Sequence, residues 1–113
     1  MITNENMDKL FHALAHEIRR SILDIVRDRP GLGVGELAKH FDVSRIAVMN
    51  HLSVLSQAGL IISEKEGRTR CLYLNAAPIQ MMYDRWTDDY SGYWAERMTS
   101  VKYNVEKEMN KKG

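Results

Sequence analysis

VGELAKHFDVSRIAVMNHLSVLSQAGL, residues 34–60, is the stretch that decides the fold. Its first part reads as a short helix, with Leu37, Ala38 and Phe41 at helical spacing. Gly33 caps its start, and Glu36 suits the positive end of the helix dipole. Asp42-Val43 supply a turn. Ser44 is then a good N-cap for a second helix, because its hydroxyl can accept from a free backbone N–H. Val48, Leu52 and Leu55 recur at i, i+4 and i+7 and must face a core. Arg45, Ile46, Ala47, Met49, Asn50 and Ser53 fall on the other side. Ala58-Gly59 stops the helix, since glycine tolerates the left-handed conformation that ends helices. A short helix, a tight turn and a second helix with one polar, hydrogen-bonding face make a helix-turn-helix.

The 113 residues around this stretch suit one domain, 1–113, with a core over about 8–75. Net charge is +1, too little to argue for nucleic acid by itself. Its distribution says more. Residues 1–30 and 71–113 are balanced, whereas 39–70 carry Lys39, Arg45, Lys65, Arg68 and Arg70 against Asp42, Glu64 and Glu66. No run of about 20 apolar residues is present to span a membrane. The N-terminal sequence lacks the basic-then-apolar layout of a secretory signal. One cysteine, Cys71, allows no internal disulfide. The expected location is the cytoplasm.

Upstream, residues 3–14 read as a helix with Met7, Leu10, Phe11 and Leu14 on one stripe and Asn4 or Asn6 as its cap. A second helix, from His16 to about Asp28, places Ile18, Ile22, Ile25 and Val26 on an apolar face, and Arg29-Pro30-Gly31 ends it. At least one of Arg19 and Arg20 is expected to pair with an acidic side chain inside the fold. Leu32 to Gly35 reads as a loop with a possible short strand. Downstream, Ile61-Ile62 open a strand, Glu66-Gly67-Arg68 turn it, and Cys71 to Leu74 return it with Leu72 and Leu74 on one face. This hairpin, tipped by Lys65, Arg68 and Arg70, is placed to act as a wing along a phosphate backbone. Ala77-Pro78 then start a long amphipathic helix over about 77–109. At roughly 45 Å it is longer than so small a core can cover, so its stripe calls for a second copy of the chain. The fold class is mainly α with a small β-hairpin wing: a winged helix-turn-helix with a long C-terminal dimerisation helix.

LFHALAHEIRRSILDIV, VGELAKHFDVSRIAVMNHLSVLSQAGLI and EGRTRCLYLN, taken in order, resemble the ArsR-type bacterial winged-helix regulators over about residues 8–75. MYDRWTDDYSGYWAERM looks like the closing helix of a subgroup rich in Trp and Tyr. The resemblance implies a homodimer that binds a two-fold symmetric DNA operator and represses transcription, with dimer contacts from the first and last helices. The residues that fit such contacts are Leu10, Tyr83, Trp86, Tyr90, Tyr93, Trp94, Met98 and Val101. Many members of the family sense metals through cysteine or histidine pairs. Where some carry a Cys-x-Cys-like pair, this chain reads Glu36-Leu37-Ala38, so no metal and no cofactor is expected.

The face Arg45, Ile46, Ala47, Met49, Asn50 and Ser53 is the candidate base-reading surface. Arginine pairs bidentately with guanine, asparagine with adenine, and Ile46 or Ala47 can touch a thymine methyl. Ser44, His51, Lys65, Arg68 and Arg70 are candidate contacts to the DNA backbone, which position the protein without specifying sequence. His12 and His16 have the spacing of a metal pair on one helix face but straddle the break between two helices, which favours structural roles. Asp84, Asp88 and Asp89 read as a solvated acidic face. Cys71 would need a resolving thiol or a lowered pKa to sense redox state. Tyr83, Trp86, Tyr90, Tyr93 and Trp94 suit a dimer core better than an effector pocket. No catalytic constellation is present: there is no nucleophile elbow and no His-Glu-x-x-His. The reading is a homodimeric, sequence-specific DNA-binding repressor on an inverted repeat, not an enzyme. An effector, or a change at the dimer helices, would alter the spacing of the two reading helices and release DNA. The alternatives are a winged-helix module that binds protein rather than DNA, or a metal- or redox-responsive sensor on the same frame.

Overall fold

A computed structural model describes residues 2–87 and 97–98. Its elements run α1 (Asn4–Leu14), α2 (Glu17–Asp28), β1 (Leu32–Gly33), α3 (Val34–Ala38), α4 (Arg45–Gln57), β2 (Ile61–Glu66), β3 (Thr69–Leu74) and α5 (Ala77–Thr87). The described residues through Met82 form one compact unit, and Tyr83 opens a second. The rest of the expected helix over 77–109, Arg97 and Met98 apart, lies outside the described residues.

The core of the first unit is a single apolar cluster. Leu10, Ile22, Val26, Leu37, Val48, Leu55 and Leu60 are fully buried in it. In α4 the buried residues are Val48, Leu52 and Leu55, the expected seam. In α2, Ile22, Leu23 and Val26 are buried, while Ile18 and Ile25 pack at the edge. In α1 the buried set is Met7, Leu10 and Ala13, whereas Phe11 remains 46% exposed. The stripe is therefore rotated from the expected one, because small Ala13 sits where α1 meets the rest of the core. Leu10, expected at a dimer contact, is consumed inside its own subunit and has no surface left for a partner.

The helix ends have local chemical causes. Thr3, rather than Asn4 or Asn6, caps α1 by accepting from the Asn6 N–H at 3.1 Å. His16 caps α2 through Nδ1, which accepts from the Ile18 N–H at 3.1 Å. Ser44 caps α4 by accepting from the Ala47 N–H at 3.1 Å. At the other end of α4, the Leu60 N–H donates to Leu55 and the Gly59 N–H to Ser56, with Gly59 at φ +77°. That pair of bonds is a Schellman motif, and buried Leu55 and Leu60 supply its apolar contact. Asn75 ties this end of α4 to the start of α5. Its Nδ2 donates to the Gly59 carbonyl at 2.9 Å, and its Oδ1 accepts from the Ala77 N–H.

The sheet has the order β1-β3-β2, all antiparallel. The short strand at Leu32–Gly33 pairs with Leu72 and Cys71, making the hairpin three-stranded at its base. Glu66 faces Thr69 across the two-residue turn Gly67-Arg68. Gly67 has φ +63° and Arg68 does not share the positive sign, the pattern of a tight hairpin with glycine in its first central position.

Arg19 is the buried charge among the described residues, 8% exposed. Its Nε donates to the Ala13 carbonyl at 2.8 Å and its Nη2 to the His12 carbonyl at 3.0 Å. Arg20 Nη1 donates to the Leu14 carbonyl at 2.8 Å. The last three carbonyls of α1, of which that of His12 also accepts from the Ala15 N–H, are thus bound by two cations at the negative end of the helix dipole. Among the described residues the expected internal ion pair is not formed: backbone oxygens take the place of a carboxylate. Arg19→Met keeps the apolar stem and removes the donors. It is expected to lower stability in urea unfolding by about 2–3 kcal/mol, because buried carbonyls lose charge-assisted bonds. A loss below about 0.5 kcal/mol would mean that water replaces the guanidinium there.

Candidate nucleic-acid interface

Helix α4 presents two stripes away from the core. Arg45, Met49, Ser53 and Ser56 succeed one another at steps of four and three, and face the wing formed by β2 and β3. Ile46 and Asn50 lie further round the helix, open to solvent, with Ile46 72% exposed. Ala47 is half-buried beside them. Of the six residues expected to read bases, five are exposed and none is packed into the core. Ser56 joins them on the structure's evidence alone, although its spacing from Met49 and Ser53 puts it on the same stripe.

The wing sorts its charges by the two-residue period of a strand. On one face lie Ile61, Ser63 and Lys65 of β2 with Arg70, Leu72 and Leu74 of β3. On the other lie Ile62, Glu64 and Glu66 with Thr69, Cys71 and Tyr73. Ser63, Arg70 and Leu72 of the first face look toward α4, and both carboxylates are on the second. Between α3, α4 and the wing tip is a cleft of about 470 Å³, lined by Gly33, Val34, Gly35, Glu36, Arg45, Met49, Arg68, Thr69 and Arg70. A second cleft of about 380 Å³ continues it past Val34, Met49 and Arg70 to Ser53, Ser56 and Ser63. The two share Val34, Met49 and Arg70, so one groove runs along α4.

Charge in the groove is unbalanced. Lys65 and Arg70 are direct cross-strand partners, an arrangement that repels unless an anion lies against it. Among the described residues, Arg45, Lys65, Arg68 and Arg70 have no carboxylate within 4.0 Å, whereas Lys9 and Lys39 each have one and Arg27 has two. Arg70 only reaches Ser63 Oγ, at 3.5 Å. The N-terminus of α4 adds its free N–H groups beside Arg45, with Ser44 Oγ committed to the cap.

His51, expected at the DNA backbone, has a different role. It is half-buried, its Nδ1 lies 3.1 Å from Arg19 Nη1, and its ring centroid is 4.5 Å from that of His16. Burial, followed by the neighbouring His16 and Arg19, lowers its pKa from the ordinary imidazole value. Cys71 is buried beneath the outer face of the wing, and its thiol donates to Glu66 at 3.5 Å. Burial, then the bond to Glu66 and the charges of Glu66 and Glu64, raise its pKa, the opposite of what a reactive thiolate needs. The His12–His16 pair is divided, since His16 Nδ1 is occupied by the α2 cap. Among the described residues, no three His, Cys, Asp or Glu side chains gather to hold a metal ion.

Of the expected dimer residues, Tyr83 and Trp86 on α5 are 57% and 61% exposed, and Met98 is 62% exposed. Tyr90, Tyr93, Trp94 and Val101 lie outside the described residues, as do Asp88 and Asp89. No helix among the described residues is long and apolar enough to cross a membrane.

Comparison with known proteins agrees with this geometry. Residues 14–64 match a family described as a helix-turn-helix domain. The HTH-type transcriptional regulator YuzN of Bacillus subtilis is 37% identical over 91 residues, covering 75% of this chain and 99% of that protein. The transcriptional repressor SdpR of the same organism is 31% identical over 74 residues, covering 66% and 81%. A crystal structure of an ArsR family transcriptional regulator superposes with a TM-score of 0.69 at 30% identity, over 83% of this chain and 95% of that one. With its winged architecture, its open α4 face and relatives matched over nearly their whole length, the chain belongs to the ArsR-type winged helix-turn-helix family of DNA-binding transcriptional regulators.

Proposed function

We propose that this chain is a homodimeric repressor that reads an inverted-repeat operator through α4 and grips the flanking phosphates with its wing. The observation that carries the reading is the sorting of charge: Arg45, Arg68 and Arg70, which have no carboxylate within 4.0 Å among the described residues, line the groove beside the exposed face of α4 that carries Arg45 and Asn50. In this reading α4 lies in the major groove. Arg45 and Asn50 read base edges, Ser53 adds a hydroxyl, and Ile46, Ala47 and Met49 meet thymine methyls. Lys65, Arg68 and Arg70 track the phosphate backbone, and Ser44 holds the α4 N-terminus ready for a phosphate. Repression is the activity named for SdpR, and it arises most simply if the dimer occupies a promoter.

The dimer rests on α5. Tyr83 and Trp86 are large, exposed and three residues apart, with the Arg85 guanidinium 5.9 Å from the Trp86 ring centroid. Tyr90, Tyr93, Trp94, Met98 and Val101 continue the same spacing in the sequence. Two copies joined there would set their α4 helices about 34–36 Å apart, one turn of DNA. The whole chain then acts as one functional domain whose last helix serves assembly.

Fluorescence anisotropy against the promoter of the protein's own operon tests base reading. Arg45→Ala and Asn50→Ala are each expected to weaken specific binding by about 1–3 kcal/mol and to relax preference at one base pair. Affinity unaffected by both would refute reading by this face. Arg68→Ala or Arg70→Ala should instead weaken binding to all duplexes alike and lower the slope of log K against log salt by about 1. A loss confined to one sequence would contradict a phosphate role. Sedimentation velocity of Trp86→Glu should show monomer where the native chain shows dimer. A Trp86→Glu variant that stays dimeric would move the interface elsewhere.

A further inference from the structure

His51 comes directly after Asn50 in the reading helix, yet its ring turns toward the body of the subunit. Its Nδ1 is 3.1 Å from Arg19 Nη1. A guanidinium has no acceptor and does not lose its proton, so Nδ1 of His51 must be the acceptor and the imidazole must be neutral. A proton on Nδ1 would set N–H against N–H and bring a second cation against the first. Arg19 has little freedom to retreat, because Nε and Nη2 are held by the carbonyls of Ala13 and His12. His16 closes the other side, its ring centroid 4.5 Å away and its Nδ1 bound to the Ile18 N–H. The charged or titratable groups acting on the ring are therefore His16 and Arg19, both from the start of α2. The end of α1 contributes backbone carbonyls, and α3 and β2, which also pack on α4, bring no charge to bear on it. The contact is therefore broken from the α4 side, by the His51 ring leaving Arg19.

We propose that His51 is a positioning residue that fastens the reading helix to buried Arg19 only while its imidazole is neutral, so that acidification loosens α4 and weakens DNA binding. The proposal rests on the reading of α4 as the DNA-binding helix. The sense of the effect is set by proton linkage. A conformation in which α4 is released from Arg19 binds the His51 proton more readily than the fastened one. Lowering the pH through the imidazole range therefore favours release. The lowered pKa of His51, due to burial and then to His16 and Arg19, has the same sign. Simple charge attraction predicts the reverse. Added positive charge elsewhere on the protein should tighten a complex with a polyanion. Weakening on acidification thus separates the two mechanisms.

The test uses the full chain, a labelled duplex of its own promoter and constant ionic strength, between about pH 8 and about pH 5. Kd of the native protein is expected to rise about tenfold toward acid, the linkage produced when the DNA-bound protein takes up the proton one pH unit lower than the free protein. The ratio of acid to neutral Kd within each variant is the readout, so a uniform loss in a variant does not matter. His51→Gln and His51→Asn should remove the acid rise, whereas His16→Asn, which keeps a capping side chain without the imidazole, should retain it. Circular dichroism at each pH checks that the variants stay folded. If neither His51 variant folds, nitrogen chemical shifts of His51 in the native protein decide, because its protonation midpoint must fall when DNA is added. A native Kd that is flat or tighter in acid, an acid rise surviving in His51→Gln, or an unmoved midpoint would overturn the proposal. Absence of binding to any duplex even at about pH 8 would instead fail the DNA reading itself, and this proposal with it.

Discussion

The Arg19 guanidinium has three acceptors, drawn from two other helices. Two are the carbonyls of His12 and Ala13, which close α1. The third is the His51 ring in α4. A planar fork with fixed donor directions can meet all three at once, which the single ammonium of a lysine could not do in the same geometry. Burying such a charge is unfavourable unless its nitrogens are hydrogen-bonded. The position of Arg19 therefore constrains three helices together: where α1 stops, how α2 starts and how α4 lies across both. Among the described residues no buried side-chain nitrogen or oxygen is left without a partner, which is the condition for a buried guanidinium to be tolerated.

The wing solves a different problem, that of keeping cations and carboxylates apart within a segment of about ten residues. Strand alternation does this. Placing Lys65 and Arg70 at positions of one parity and Glu64 and Glu66 at the other assigns each sign to one face. The carboxylate face also carries Cys71 and Tyr73, whose pKa values rise, in Tyr73 chiefly through the charge of Glu66. The cation face looks along the groove beside α4. A net charge of +1 thus conceals a local field, and local field is what steers a polyanion.

What is legible in the sequence is what is local. The Val48, Leu52 and Leu55 seam, the Ser44 cap, the Gly59 stop and the Gly67 turn each depend on residues within a few positions of one another, and each appears where expected. What escapes depends on contacts made across the chain. The burial of Ala13 in place of Phe11 is set by the rotation of α1 against other helices, which periodicity fixes only to within a residue or so. The pairing of Leu32–Gly33 with β3 joins segments 38 to 40 residues apart. The partners of Arg19 are carbonyls, which no side-chain code announces. Adjacency to Asn50 suggests that His51 meets DNA, but a helix turns about 100° per residue and carries the ring inward. Ser56 escapes because hydrogen-bonding types cluster near the helix start, while the stripe runs on to its end.

The attachments of α4 differ in kind, and the difference bears on how a reading helix can respond to its surroundings. The apolar seam of Val48, Leu52 and Leu55, the Ser44 cap and the Schellman end at Gly59 involve no group that titrates near neutrality. They fix the helix but register nothing about the solution. The contact of His51 with Arg19 is polar, part-buried and made by the one side chain type whose ordinary charge change falls between about pH 5 and 8. The groove face, in turn, is open and bears permanent charge on Arg45, Arg68 and Arg70, which changes its occupancy with salt rather than with pH. In the proposed reading, grip and aim are thereby governed by separate chemistry: screening of the wing cations would set how strongly DNA is held, and the protonation of a ring on the inner edge of α4 would set whether the helix is aimed to read it.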